Sequence, residues 1–244
     1  MHAADYVEAL RTGTDRDLAE SQGFDWCPGI WPMAVHSTAG VIAATDSALE
    51  HGVAGSLSSG LHHARPEHGS GFCTVNGLAI AAARLVGNGL RVVVLDLDAH
   101  CGGGTAAMIS THDLAESVRQ FDLSTNTFDG YDHVRPDDRL AVVRRGDDVY
   151  LEAVGRMLDD IPWADTDIVL YNAGVDIHPE FSRLTVTVRE RMVFERAAAE
   201  ATPIAWVLAG GYTAGITMDE LVDLHWQTLD AAAGAATPER KGTT

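Results

Sequence analysis

Val92-Val-Val-Leu-Asp96-Leu-Asp98-Ala-His100 is a β-branched apolar run that ends in two carboxylates and an imidazole at alternate positions. Such a run suits a strand buried on both faces of a parallel sheet. Along an extended backbone, alternation directs Asp96, Asp98 and His100 to one side. Gly102, Gly103 and Gly104 follow, suiting a loop that other groups approach closely. Open α/β proteins build their sites at the carboxyl ends of parallel strands. Two oxygen donors beside a nitrogen donor suit a divalent metal, Zn²⁺ first. The plainer alternative is that Asp96 and Asp98 only cap the next helix.

Working outward, helical patterns span residues 31–50, 74–86, 149–161, 188–201 and 218–235, with Thr74 placed to cap the second. Strand patterns span 53–58, 91–95, 117–123, 167–172 and 204–208, and a short helix follows Thr105. Strands and helices alternate, so the chain is expected to be α/β, with a central, mainly parallel sheet covered by helices on both faces. No repeat, linker or composition break divides it. A single domain over 1–236 is expected, with 237–244 as a disordered tail. The polar motifs fall just after strands and should converge on one sheet edge. The loop 124–139 is polar, rich in Asp and long enough to carry function.

The 244 residues, 46% of them hydrophobic, can form one large core. No apolar run approaches the roughly 18 residues of a membrane span, and no basic segment precedes an apolar one as in a secretory signal. Cys27, Cys73 and Cys101 are few, odd in number and far apart, which favours reduced thiols in a cytoplasm. A formal charge of −18 argues against direct nucleic-acid binding. It could steer cationic substrates, although solubility explains it as well.

Five segments, read together, resemble the arginase/deacetylase superfamily, in particular its histone deacetylase-like, bacterial acetoin-utilisation-like branch. They are Gly60-Leu-His62-His63-Ala64, Gly71-Phe72-Cys73, Asp96-Leu-Asp98-Ala-His100, Ala173-Gly-Val-Asp176 and Gly210-Gly211-Tyr212. The resemblance implies the three-layer fold of that superfamily and makes Asp98 and His100 metal ligands. It makes His62 and His63 the tandem histidines that orient a water and shuttle its proton, a task suited to imidazole because its pKa lies near neutrality. It makes Tyr212 the donor to the substrate carbonyl as that oxygen becomes negative. Gly71 and Phe72 would line a narrow tunnel, with Phe128 as a second wall. Asp96 would support His62 and, with Asp122, help hold a structural monovalent cation, K⁺. Cys73 and Cys101 read as lining groups, and Trp163 and Trp206 as core.

Three departures accompany the resemblance. Counting along the family pattern puts the third metal ligand five residues beyond Asp176, on Phe181, so Glu180 is the candidate and His178 the reserve. An oxygen-rich set of this kind also accepts Fe²⁺. Gly103 stands where the family has Asp or Asn, so His63 is expected to lack its orienting partner. Family members also begin with a further strand and loop before the segment matching 2–6. An open pocket or an edge suited to a second subunit, a homo-oligomer, would follow.

The leading expectation is a metal-dependent amidohydrolase that removes an acyl, chiefly acetyl, group from acyl-lysine, an acylpolyamine or a related small amide. The alternative is a catalytically silent relative that binds an acylated ligand or a partner protein. A two-metal ureohydrolase would need a richer set of Asp and His ligands.

Overall fold

A computed structural model describes residues 1–132, 136 and 138–236. The expected tail at 237–244 lies outside the described residues. Six strands, β1 (Val53–Ser56), β2 (Val92–Asp96), β3 (Val118–Ser124), β4 (Arg139–Val142), β5 (Ile168–Gly174) and β6 (Ile204–Ala209), form one sheet in the order β1-β6-β5-β2-β3-β4. Every pairing is parallel. The helices are α1 (Ala4–Thr12), α2 (Arg16–Ala19), α3 (Ile30–His51), α4 (Gly77–Gly87), α5 (Gly103–Thr111), α6 (Asp147–Asp160), α7 (Arg183–Ala199) and α8 (Met218–Ala235).

The alternation of side chains along each strand sorts the core into two layers. Val92 and Val94 of β2, Ile168 and Leu170 of β5, and Ala205 and Val207 of β6 pack with Val41 and Ala44 of α3, Leu78 and Leu85 of α4, and Ile109 of α5. Their neighbours Val93, Leu95, Val169, Tyr171, Ile204 and Trp206 face the other way, against Val154 of α6, Val193 and Phe194 of α7, and Leu224 of α8. The chain therefore has the three-layer α/β/α architecture that the alternating pattern implies. Trp163 and Trp206 are both buried in the second layer.

Three local features depart from the sequence reading. The cap of α4 is Asn76, whose side chain accepts from the Ala79 amide, in place of Thr74. Arg139–Val142 is an edge strand paired with β3, too short and too polar to announce itself inside a loop-like stretch. Helix α7 starts at Arg183, five residues before the sequence pattern places it, since Leu184, Val186 and Val188 alternate like a strand; along it Thr185, Arg189 and Glu190 are inaccessible to solvent.

Arg189 explains that burial. Its guanidinium is paired with Glu190, and its Nη1 donates to the Leu97 carbonyl at 3.0 Å, in the segment that links Asp96 to Asp98. Glu190 Oε1 also accepts from the Tyr171 hydroxyl at 2.9 Å. A buried pair of this kind contributes little net stability when intact, but losing one partner strands the other charge. We expect Arg189→Met to lower unfolding stability by about 3–5 kcal/mol in chemical denaturation, and Arg189→Met with Glu190→Gln to recover part of that loss.

Candidate active site

Because β2, β5 and β6 run parallel side by side, the turns at their carboxyl ends open onto a common place. The loop after β1 brings His62 and His63, β2 brings Asp98 and His100, β5 brings Asp176 and β6 brings Gly210–Tyr212. With Gly71, Phe72, Leu61 and Cys73, most of these groups line a cavity of about 490 Å³. Phe72 is half exposed at its mouth and packs on Phe24 at a ring distance of 5.1 Å. Phe128 stands edge-on to His63 at 5.1 Å and to His100 at 5.7 Å.

At the centre, His100 Nδ1 lies 3.1 Å from Asp98 Oδ1 and 3.1 Å from Asp176 Oδ2. The register that pairs Asp96 with Asn172 explains this. The end of β5 is already alongside β2, so the first carboxylate after it arrives beside Asp98. Gly174 permits the approach, since a Cβ there would lie 2.4 Å from the Asp98 Cα. Counting residues along the loop points to Glu180 or His178, but the structure brings Asp176 to this place instead. Glu180 is exposed and Phe181 is buried against Tyr150. His178 directs Nε2 to the Tyr212 carbonyl at 3.2 Å. Among the described residues, the groups with metal-ligand spacing are Asp98, His100 and Asp176, and His62, His63 and Asp98; neither includes Glu180 or His178.

Asp98, His100 and Asp176 fit a divalent cation. Ligand atoms around tetrahedral Zn²⁺ lie roughly 3.3–3.5 Å apart, close to the spacings here. Asp176 Oδ2 is buried, and His100 Nδ1, 3.1 Å away, meets it outside good hydrogen-bond geometry. Hydrogen bonds to Asp176 and Asp98 push His100 up to about 10, which shows how strongly the carboxylates favour a positive charge at this point. Burial opposes charge on Asp98, yet His62 and His100 hold it well below the usual carboxylate range. Burial, and then Asp98, raises Asp176.

The two histidines stack at 3.9 Å but titrate in opposite directions. His62 Nδ1 donates to Asp96 Oδ2 at 2.7 Å, and burial is outweighed by Asp96 and Asp98, so its pKa rises well above the usual value. Burial, with His62 alongside, lowers His63 despite a carboxylate on its own Nδ1. That carboxylate is Asp129, at 2.8 Å. His63 therefore does not lack a partner, as Gly103 had suggested; the partner arrives from the loop after β3. Tyr212 is half exposed, with its ring 6.4 Å from that of His100. Burial first, then Asp176 and Asp98, push it up to about 12, which keeps the hydroxyl a donor.

Asp96 and Asp122 face each other across the β2–β3 register. Asp96 Oδ1 accepts from Asn172 at 2.9 Å, and Asp122 accepts from the Gly102 amide at 2.8 Å and from Gln120. Burial and then Asp96 raise Asp122 well above the carboxylate range. Burial raises Cys73 to about 11 and also raises Cys101, so both thiols stay protonated.

The supporting residues escaped the sequence reading. Asn76 is fully buried, and its amide donates to the carbonyls of His62 and Ala64, which sets the histidine loop. Its backbone N–H donates to His2 Nε2 at 3.0 Å, while His2 Nδ1 donates to the Arg65 carbonyl at 2.8 Å.

The sequence matches the histone deacetylase domain over residues 1–134. It is 34% identical over 228 residues to an uncharacterized protein of Picosynechococcus, covering 88% of this chain and 75% of that one. The chain belongs to the histone deacetylase family. It is 30% identical over 205 residues to histone deacetylase 2 of Arabidopsis thaliana, covering 78% of this chain but only 53% of that relative, about half its length. The fold is similar to that of an acetylpolyamine aminohydrolase from Burkholderia pseudomallei, with a TM-score of 0.73, 18% identity, and coverage of 96% of this chain and 81% of that one. No helix among the described residues is long and apolar enough to cross a membrane.

The His2 contacts carry a pH dependence. Burial lowers the His2 pKa below its usual 6.5, and Nε2 must stay unprotonated to accept from Asn76. A depressed base binds more protons unfolded than folded, so its contribution is complete above pH about 6.5 and is lost as pH falls through the depressed folded value. Protection of the Asn76 amide and of α1 against exchange, taken relative to the unprotected rate at each pH, should therefore fall below pH about 6.5, and His2→Gln should flatten that response.

Proposed function

We propose that this protein is a metal-dependent deacylase that removes an acyl group, chiefly acetyl, from a lysine side chain, a polyamine or a similar primary amine. The observation that carries the reading is the meeting of Asp98, His100 and Asp176 beside a buried histidine pair and Tyr212 on one cavity wall. Asp98, His100 and Asp176 would hold Zn²⁺, or Fe²⁺ in the same set. A Zn²⁺ held by that set would supply Lewis acidity toward an amide carbonyl and would lower the pKa of water near it.

The chain's own groups do the rest. The lowered pKa of His63 leaves it neutral and able to take a proton from water, while the raised pKa of His62 keeps a positive charge next to it. Tyr212 donates to the substrate oxygen as negative charge develops there. The proton taken up at the histidine pair returns to the departing amine. Gly71, Phe72, Phe24 and Phe128 give the entrance apolar walls for an alkyl chain. A monovalent cation such as K⁺ near Asp96 and Asp122 would take up charge that the raised pKa of Asp122 otherwise leaves to a proton. A silent relative would be favoured by Gly103 and by the third-ligand count; Asp129 beside His63 and Asp176 beside His100 support the enzyme instead.

The test is metal analysis together with amine release from acetyl-lysine peptides and acetylated polyamines. We expect stoichiometric metal and hydrolysis in the native protein. Asp176→Asn should lose both, while Glu180→Gln keeps both. Tyr212→Phe should retain metal and lose about 10²–10³ in kcat. Metal retained at full affinity in Asp176→Asn, or no hydrolysis across the panel, would refute the reading.

A further inference from the structure

Asp129 follows Phe128 in the loop after β3, with φ 57°, in the left-handed region that a non-glycine residue occupies at a cost of about 1 kcal/mol or more. That backbone turn sends the carboxylate inward, where its side chain is only 4% exposed. Asp129 Oδ2 accepts from the Gly104 amide at 3.0 Å and meets His63 Nδ1 at 2.8 Å, and its Oδ1 is paired with the Arg65 guanidinium. The space it occupies exists because residue 103 is glycine. A Cβ there would lie 2.2 Å from the Asp129 carbonyl oxygen and 2.6 Å from its Oδ1. A side chain at 103 and this path of the loop exclude each other.

Arg65 is anchored in turn. Its amide donates to the His68 carbonyl at 2.9 Å, and its own carbonyl accepts from His2. Burial opposes charge on Asp129, yet His63 and Arg65 hold its pKa below the usual carboxylate value.

We propose that Asp129 and Arg65 are positioning residues for His63. The guanidinium pins one carboxylate oxygen, so the other holds the ring with Nδ1 as donor and Nε2 as acceptor toward the cavity. A carboxylate bound through one oxygen alone could rotate; engaging both oxygens fixes the imidazole in plane and in tautomer. The catalytic consequence rests on the deacylase reading, whereas the tautomer does not.

The experiment uses the zinc-loaded full chain. Asp129→Ala should lower kcat about 10–100-fold with KM and metal content little changed, and Asp129→Asn should restore part of the rate. Arg65→Gln should lower kcat less, and Arg65→Lys should restore it. In ¹⁵N spectra of labelled histidine, assigned with His63→Gln, the native His63 ring should be protonated at Nδ1 and should lose that preference in Asp129→Ala. Should Asp129→Ala not fold, Arg65→Gln carries the same spectral test at a partly exposed residue, with faster exchange of the Nδ1 proton expected. An unaltered His63 signal in the folded variants overturns the proposal, as does a rate loss matched by lost metal. A shifted tautomer in a protein that hydrolyses none of the amides upholds the positioning role and refutes the deacylase reading.

Discussion

Asp96, Asp98, Asp122 and Asp176 are all buried where β2, β3 and β5 end, and removing that much negative charge from water obliges the chain to surround it with donors. An unpaired buried carboxylate costs several kcal/mol, so each one here recruits a partner. His62 and Asn172 meet Asp96, the His100 amide and ring meet Asp98, Gln120 and the Gly102 amide meet Asp122, and the Ala99 amide and His100 meet Asp176. From the opposite layer, Arg189 ties down the carbonyl of Leu97 between the first two. Much of the polar architecture of the central layer follows from this one electrostatic demand, and the same demand makes the site receptive to a cation.

The architecture was legible because it is periodic. The runs around Val94, Leu170 and Val207 are apolar without a break, as strands covered on both faces must be, and they alternate with helical patterns. The opening of α7, residues 183–187, was hidden for the converse reason: Leu184, Val186 and Val188 alternate like a strand, and Leu184 stands exposed. The short edge strand β4 has too few residues to show a period.

Within the site, the groups carried in recognisable motifs were readable and the isolated loop residue was not. His62, His63, Asp98, His100 and Tyr212 were named from motifs and do line one cavity. Asp176 was seen but passed over for Glu180, because spacing along a loop says nothing about which strand lies next door; the β2–β5 register does. Asp129 left no signal at all. An aspartate in an Asp-rich loop looks solvated, and its contact with His63 bridges a separation of 66 residues.

That loop has an evolutionary implication. Phe128, which faces the rings of His63 and His100, and Asp129, which holds the His63 ring, are consecutive residues. Lengthening or shortening the segment to admit a bulkier substrate would move the anchor together with the wall. Descendants of this chain thus cannot drift freely in what they accept: a change of diet must either spare this dipeptide or first restore a side chain at position 103, and the crowding there forbids holding both solutions at once.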